Sequence, residues 1–342
     1  MAVQPDAKRW EKVWGVTGWQ IFAAILPIAV LYGFDARRVD QAIGMGCESS
    51  TLPTRYHLTT MSDFGHYEYG YRARDGFMVA KAVDKGIRNC RDALDESRCY
   101  RRIICGNDAA NGDGDVIVSG DESDPTRFTR ELGSRYFLTE TVLRRWPAVL
   151  WAQAPAEAAA RIVQEHAVCL EEIDEITVSP VTEGFTHAPE NGYGSMLQAQ
   201  MSIPFVVASA LRGLAPGAGW YSEDGRRDPL TTALAKKVKA LETMTECNAY
   251  AAFREGTLPA VTVSVKLRNG ERREASASLT AGTAAPLEDA ARQFRTQTAG
   301  VLSPEKAEEI IEAVLRLEDF ASVAALSDRL FVKAKPPAKP EA

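Results

Sequence analysis

The sequence has no CxxC pair, no uninterrupted membrane-length hydrophobic run and no block of basic charge, and each absence removes a class of function. Its six cysteines (Cys47, Cys90, Cys99, Cys105, Cys169 and Cys247) include one cluster, Cys90, Cys99 and Cys105, without the closely paired spacing of a zinc site. They read as the reduced thiols of a cytoplasmic protein, with no metal expected. The apolar run Ile21–Leu31 is interrupted by Pro27 and is too short to span a bilayer. The start, Met1 to Asp6, lacks the charged and hydrophobic segments of a signal peptide. Lys and Arg are dispersed along a chain of net charge -6, whereas phosphate backbones are bound by clustered positive charge. Neither a membrane nor a nucleic acid is therefore expected as a partner. The Gly-rich stretch Gly213 to Gly219 lacks the strand-turn-helix context of a phosphate loop. No elbow motif supports a Ser-His-Asp set, and neither His166 nor His187 has a carboxylate or cysteine at ligand spacing.

What remains is an ordinary soluble composition, 45% apolar and 25% charged over 342 residues, enough for one large or two ordinary domains. The first hundred residues read as helical. The nearly all-apolar stretch Ile21–Leu31 predicts a deeply buried helix, stopped by Gly33. Asp35 caps a second helix running to about Ile43. A further helix over Tyr71–Lys85 places Phe77, Ala80 and Val83 on one face. Residues 106–124 imitate a calcium loop, with Asn111, Asp113, Asp115 and Glu122 at its first, third, fifth and twelfth positions. Val116 occupies the sixth, where the sharp turn needs Gly, so the segment reads as a solvated loop.

From about Val142 the pattern becomes mixed. Helices are expected over Ala154–His166, Met196–Arg212 (with Pro204 near its first turns) and Thr231–Leu241. Glu171–Ser179 alternates like a strand. Val261, Val263, Val265 and Leu267 alternate with polar residues and lead to Asn269-Gly270, a strong hairpin signal. After Pro286 helices return. Ser303-Pro304 makes a cap and first turn, with Ile310, Val314 and Leu317 on an apolar face. The end, Lys333–Ala342, reads as a disordered tail.

Several segments in this order carry a resemblance: Arg144-Arg145-Trp146-Pro147 before the first of these helices, Gln200 to Phe205, Arg227-Asp228-Pro229, the hairpin, and Gly282 followed by Pro286-Leu287. Together with the Leu31 to Asp35 junction they resemble the MmgE/PrpD family of 2-methylcitrate dehydratases, cis-aconitate decarboxylases and iminodisuccinate epimerases. The resemblance implies an α+β fold. A mostly helical domain built from both chain ends (1–141 and 285–332) would carry an inserted, smaller α/β lid (142–284). It also implies a cofactor-independent lyase or isomerase that removes a proton beside a carboxylate. Such chemistry needs a base of near-neutral pKa and cations for the substrate carboxylates.

Aligning Gly70 and Gly76 with the family glycines puts Glu68 at the position of the family's histidine, with His66 two residues earlier. Glu68 serves as base if burial raises its pKa, or His66 takes over if the loop is reshaped; otherwise both are exposed loop residues. Tyr67, Tyr69 and Tyr71 interleave with them, either as donors to a carboxylate or as packing aromatics. The family's lysine falls on Arg144, followed by Arg145. A guanidinium anchors a carboxylate but cannot donate a proton at neutral pH. The family's cysteine pair and nearby histidine fall on Ala148, Val149 and Gln153. Gln200 and Ser202 line the pocket or cap a helix. Family members also carry a helical stretch before the segment that starts near Trp14. Its absence here implies one subunit of a split enzyme, a homodimer or a hetero-oligomer whose partner supplies those helices. The alternative is a non-catalytic binding or assembly subunit.

Overall fold

The structure is a computed structural model. It describes residues 20–49, 61–89, 92–94, 107–110, 116–119, 130–136, 138, 141, 143–279 and 286–330, with the backbone alone at 107–110, 116–119 and Cys247. The candidate calcium ligands Asn111, Asp113, Asp115 and Glu122, the cluster Cys90, Cys99 and Cys105, the residues around Trp14 and the tail from Lys333 lie outside these residues. The chain forms two compact units, Met1–Tyr136 and Phe137–Ala342.

In the first unit, α1 (Gln20–Leu31), α2 (Ala36–Ser49) and α3 (Glu68–Asp84) pack on one another. Gly33 ends α1 at φ 64°, with the Phe34 amide bonded back to the Ala29 carbonyl, a left-handed stop that glycine adopts without strain. The Asp35 side chain accepts from the Arg38 amide at 2.8 Å and starts α2. Two glycines set the helix spacing. A Cβ on Gly76 would lie 2.7 Å from both the Ala24 methyl and the Ile21 carbonyl, and one on Gly46 would lie 2.6 Å from the Ile25 side chain. The expected deep burial of α1 is corrected. Ile21, Ile25 and Ala29 are buried, but Leu26, Val30 and Leu31 are exposed, because α2 and α3 cover only one face. Phe77 is likewise exposed; Gly76, Val79, Ala80 and Val83 form the buried stripe of α3 instead. A two-stranded antiparallel ribbon, β1 (Asn107–Ala110) with β2 (Val116–Ser119), stands where sequence suggested only loop.

The second unit has helices around a small mixed sheet, in keeping with an α+β fold. Its longer helices are α4 (Gln153–Glu165), α5 (Ile203–Leu211), α6 (Pro229–Lys236), α7 (Glu246–Glu255), α8 (Leu287–Thr298), α9 (Pro304–Leu315) and α10 (Ala324–Leu330). Its strands are β3 (Ile173–Ser179), β4 (Val181–Thr182), β5 (Val238–Ala240), β6 (Thr243–Met244), β7 (Val261–Leu267) and β8 (Arg272–Ala277). Four of them form a sheet in the order β5-β3-β7-β8, in which only the β3–β5 pair is parallel. The β7–β8 hairpin closes with Gly270 at φ 87° and a Leu267 N–H to Glu271 carbonyl bond of 2.8 Å, as Asn269-Gly270 predicts. Alanines at 154, 156, 158, 159 and 160 are buried and let α4 pack closely on α5, β7 and β8.

Three expectations for this unit are corrected. The helix over Met196–Arg212 breaks at Met201–Ser202 into a short turn, Met196–Gln200, and α5. Pro204 has no N–H and its ring would clash with the Gln200 carbonyl in a continuous helix. The helix over Thr231–Leu241 stops at Lys236, because Val238–Ala240 pairs with β3, beginning with the Ile176 amide on the Lys237 carbonyl at 3.0 Å. On α9 the buried face is Ala307, Ile310 and Ala313, leaving Val314 and Leu317 exposed. Its Ser303 cap forms as expected, accepting from the Lys306 amide at 3.2 Å.

Candidate functional site

In the first unit the site is built on the start of α3. A 3-10 turn, Asp63–His66, is capped by the Ser62 side chain and delivers the chain into the helix at Glu68. Glu68, Arg72, Gly76 and Ala80 succeed one another every four residues, so Glu68 heads the stripe that faces inward. It is 7% exposed. Burial raises its carboxyl from the ordinary 4.5 to about 7, and the Arg72 guanidinium only partly offsets that rise. Arg72 itself pairs with Asp75 at 3.2 Å. A carboxyl of this kind is divided between acid and base near neutral pH, the condition for moving a proton in either direction. His66 is exposed at the end of the turn, its Nδ1 3.2 Å from the Asp63 carbonyl oxygen. Tyr67, Tyr69 and Tyr71 are exposed, and the Tyr71 ring lies 5.6 Å from that of Phe64, with Arg74 over it at 4.9 Å.

In the second unit the two arginines separate in role. Arg145 donates to both Glu157 oxygens at 2.9 and 3.1 Å and lies 5.4 Å over the Trp146 ring, so its charge is neutralised locally. Arg144 is exposed and makes one long contact, 3.4 Å to the Ala148 carbonyl; its other donors have no partner among the described residues. Arg144 is thus the cation of the pair that can take an external carboxylate. Gln200 ends the short turn and its carbonyl accepts from the Val149 amide at 3.0 Å. Ser202 is fully buried. Its hydroxyl accepts from the Phe205 amide at 3.1 Å, donates to the His187 carbonyl at 2.7 Å and meets the Tyr193 hydroxyl at 2.9 Å. These bonds make it the cap of α5. Removing the hydroxyl strands buried partners, so Ser202→Ala is expected to cost about 2 kcal/mol in urea unfolding. A loss below about 0.5 kcal/mol would contradict the capping role.

Around this cap lies an aromatic core. The Phe205 ring lies 4.9 Å from Tyr193, 5.9 Å from Tyr221 and 6.5 Å from Trp220, which stacks on Trp146 at 5.8 Å. His187 lies against Tyr193, and its Nε2 is 2.8 Å from the Gln198 carbonyl, which can only accept, so Nε2 carries the proton. Burial lowers the pKa of this histidine, while the Gln198 bond partly opposes the shift. Ala148 is packed in this core, and Val149 packs against it. Among the described residues no three His, Cys, Asp or Glu side chains are grouped to hold a metal ion, and no helix is long and apolar enough to cross a membrane.

The family model of the MmgE/PrpD C-terminal domain matches residues 146–319. The chain belongs to the MmgE/PrpD family. No curated protein matches it. The matched MmgE/PrpD segment runs from Trp146, through the sheet and hairpin, to the end of the turn after α9, and includes Gln153, Gln200 and Ser202. Glu68, His66, Tyr67, Tyr69, Arg144 and Arg145 precede it. Two features of the MmgE/PrpD chain escaped sequence reasoning. One is Arg72 beside Glu68, legible in the four-residue spacing. The other is the set of bonds made by Gln153, which sequence alone does not signal.

Proposed function

We propose that this MmgE/PrpD chain acts as a cofactor-independent lyase or isomerase, of dehydratase, decarboxylase or epimerase type, on a small carboxylated substrate. Glu68 is the candidate base of the first unit, for the proton on the carbon beside a carboxylate, and Arg144 is the candidate carboxylate anchor of the second. The observation that carries the reading is a buried carboxyl, held at about 7, at the start of α3. That pKa lets one group accept a proton and return it at neutral pH, as dehydration and epimerisation both require. His66, exposed at the end of the turn before α3, is a second proton carrier in this reading, with Tyr67 and Tyr69 as polar groups beside it in sequence, and Gln200 is a polar candidate of the second unit. The reading includes a helical domain of residues 1–141 and 285–332, an α/β domain of residues 142–284, and a cytoplasmic location.

It also includes a partner. Val30 and Leu31 are 79% and 82% exposed on α1, an apolar surface that a second copy or another polypeptide would cover. Co-purification tests this part: a monodisperse monomer without partner would count against it.

The chemical test is solvent exchange. The purified protein, with any co-purifying chain, is incubated in D2O with 2-methylcitrate, citrate and iminodisuccinate, and the C–H signals are followed by NMR. Loss of the signal beside a carboxylate is the expected result, and Arg144→Ala is expected to raise KM by roughly tenfold or more. No exchange with any of these substrates by the folded protein would contradict the reading. The second reading, a binding or assembly subunit, is favoured by Arg145 and Ser202, whose side chains are used within the fold. It predicts that Glu68→Gln and Arg144→Ala leave the activity of the complex unchanged.

A further inference from the structure

Gln153 opens α4 and is 6% exposed. Its amide turns back on the segment before it. The Oε1 atom accepts from the Trp146 N–H at 3.0 Å. Nε2 faces three carbonyls, those of Trp146 at 2.8 Å, Ala148 at 3.2 Å and Val149 at 3.3 Å. An amide is suited to this place because it offers an acceptor and two donors on one planar group; a carboxylate has no donor for the carbonyls, and an apolar side chain has neither. The same segment is tied from other sides. The Tyr221 hydroxyl donates to the Pro147 carbonyl, the Val149 amide to the Gln200 carbonyl, and the Gln293 and Gln297 side chains to the carbonyls of Arg144 and Arg145. The Ala148 carbonyl held by Gln153 is also the one on which the Arg144 guanidinium rests at 3.4 Å.

We propose that Gln153 is a positioning residue: its side-chain amide fixes residues 146–149 so that Arg144 is presented in one orientation to the substrate carboxylate. The inference rests on the reading of Arg144 as the anion anchor and adds the device that orients it. A two-pronged guanidinium contact depends on orientation, so a segment free to rock weakens carboxylate binding even though the guanidinium remains. Because Gln153 and Arg144 share the Ala148 carbonyl, loss of the amide releases the main chain and the arginine together.

Citrate is the probe, its affinity measured by calorimetry on the purified protein, with exchange of the Trp146 amide followed in parallel. The variants are Arg144→Ala, Gln153→Met, which keeps side-chain length without polar atoms, and Gln153→Asn, which keeps a shortened amide and is the fallback should the methionine variant not fold. All measurements are made well below each variant's thermal midpoint. The expected result is a roughly tenfold weaker affinity for Arg144→Ala and roughly fivefold for Gln153→Met, with faster Trp146 exchange. Gln153→Asn should move both quantities in the same direction by less. Affinity equal to wild type in both Gln153 variants, while Arg144→Ala is weakened, overturns the positioning role and leaves the anchor intact. If the wild type binds no citrate, or Arg144→Ala binds as tightly, the anchor reading falls first and the positioning role falls with it.

Discussion

Glu68→Gln is expected to lower turnover by about 10²–10⁴-fold with the fold intact, the range general acid–base groups contribute. Amide and carboxylic acid are nearly the same size, so the stripe of α3 stays packed while the proton acceptor is lost. For the wild type, a base with a pKa of about 7 makes activity rise with pH up to that value and level off above it. The same shift sets a stability slope of definite sign. Between the ordinary 4.5 and about 7 the folded chain holds a proton that the unfolded chain releases, so stability falls as pH rises through this window and is flat beyond it. The full effect is at most about 3 kcal/mol, less whatever solvent contact the carboxyl retains. Glu68→Gln should flatten that slope and make the protein more stable than wild type at pH 8. Chemical denaturation at several pH values measures both, and a variant with the wild-type pH slope would show that Glu68 is not its source.

Gly76→Val is expected to be the most damaging single change in the first unit. A Cβ there meets the Ala24 methyl and the Ile21 carbonyl at 2.7 Å, and a main-chain carbonyl cannot move aside as the tip of a side chain can. Helices α1 and α3 must separate, losing the contacts of Ile21, Ile25, Val79 and Val83, at a cost of about 3 kcal/mol. A thermal melt reads the effect, and a wild-type midpoint would refute the close-packing account.

Local signals in the sequence translated well where chemistry fixes the backbone. Gly33, Asp35, Ser303-Pro304 and Asn269-Gly270 each produced the stop, cap or turn their side chains dictate. The family pattern was legible from Trp146 onward, where the domain match lies. Failures came where two kinds of order compete. Lysine-rich Lys236 to Leu241 reads as helix, but the edge of β3 offers partners that a helix end does not. Alternation and run length predicted too much burial for α1 and α9, because a periodic face says which residues can pack, not whether a neighbour is there to cover the others. Glu68 was found by its alignment with a family position, while its burial is a matter of tertiary packing that a single position in the sequence does not signal. The bonds of Gln153 are long-range geometry from an uncharged residue and leave no periodic trace.

The account depends most on the protonation of one carboxyl. With ¹³C-labelled glutamate and the Glu68→Gln variant to assign the signal, NMR titration follows the Glu68 carboxyl carbon across the pH range. A midpoint near 7 is the predicted result. A midpoint near 4.5, the value of an ordinary glutamate, would contradict the claim that the fold of α3 has made this side chain a base for neutral pH.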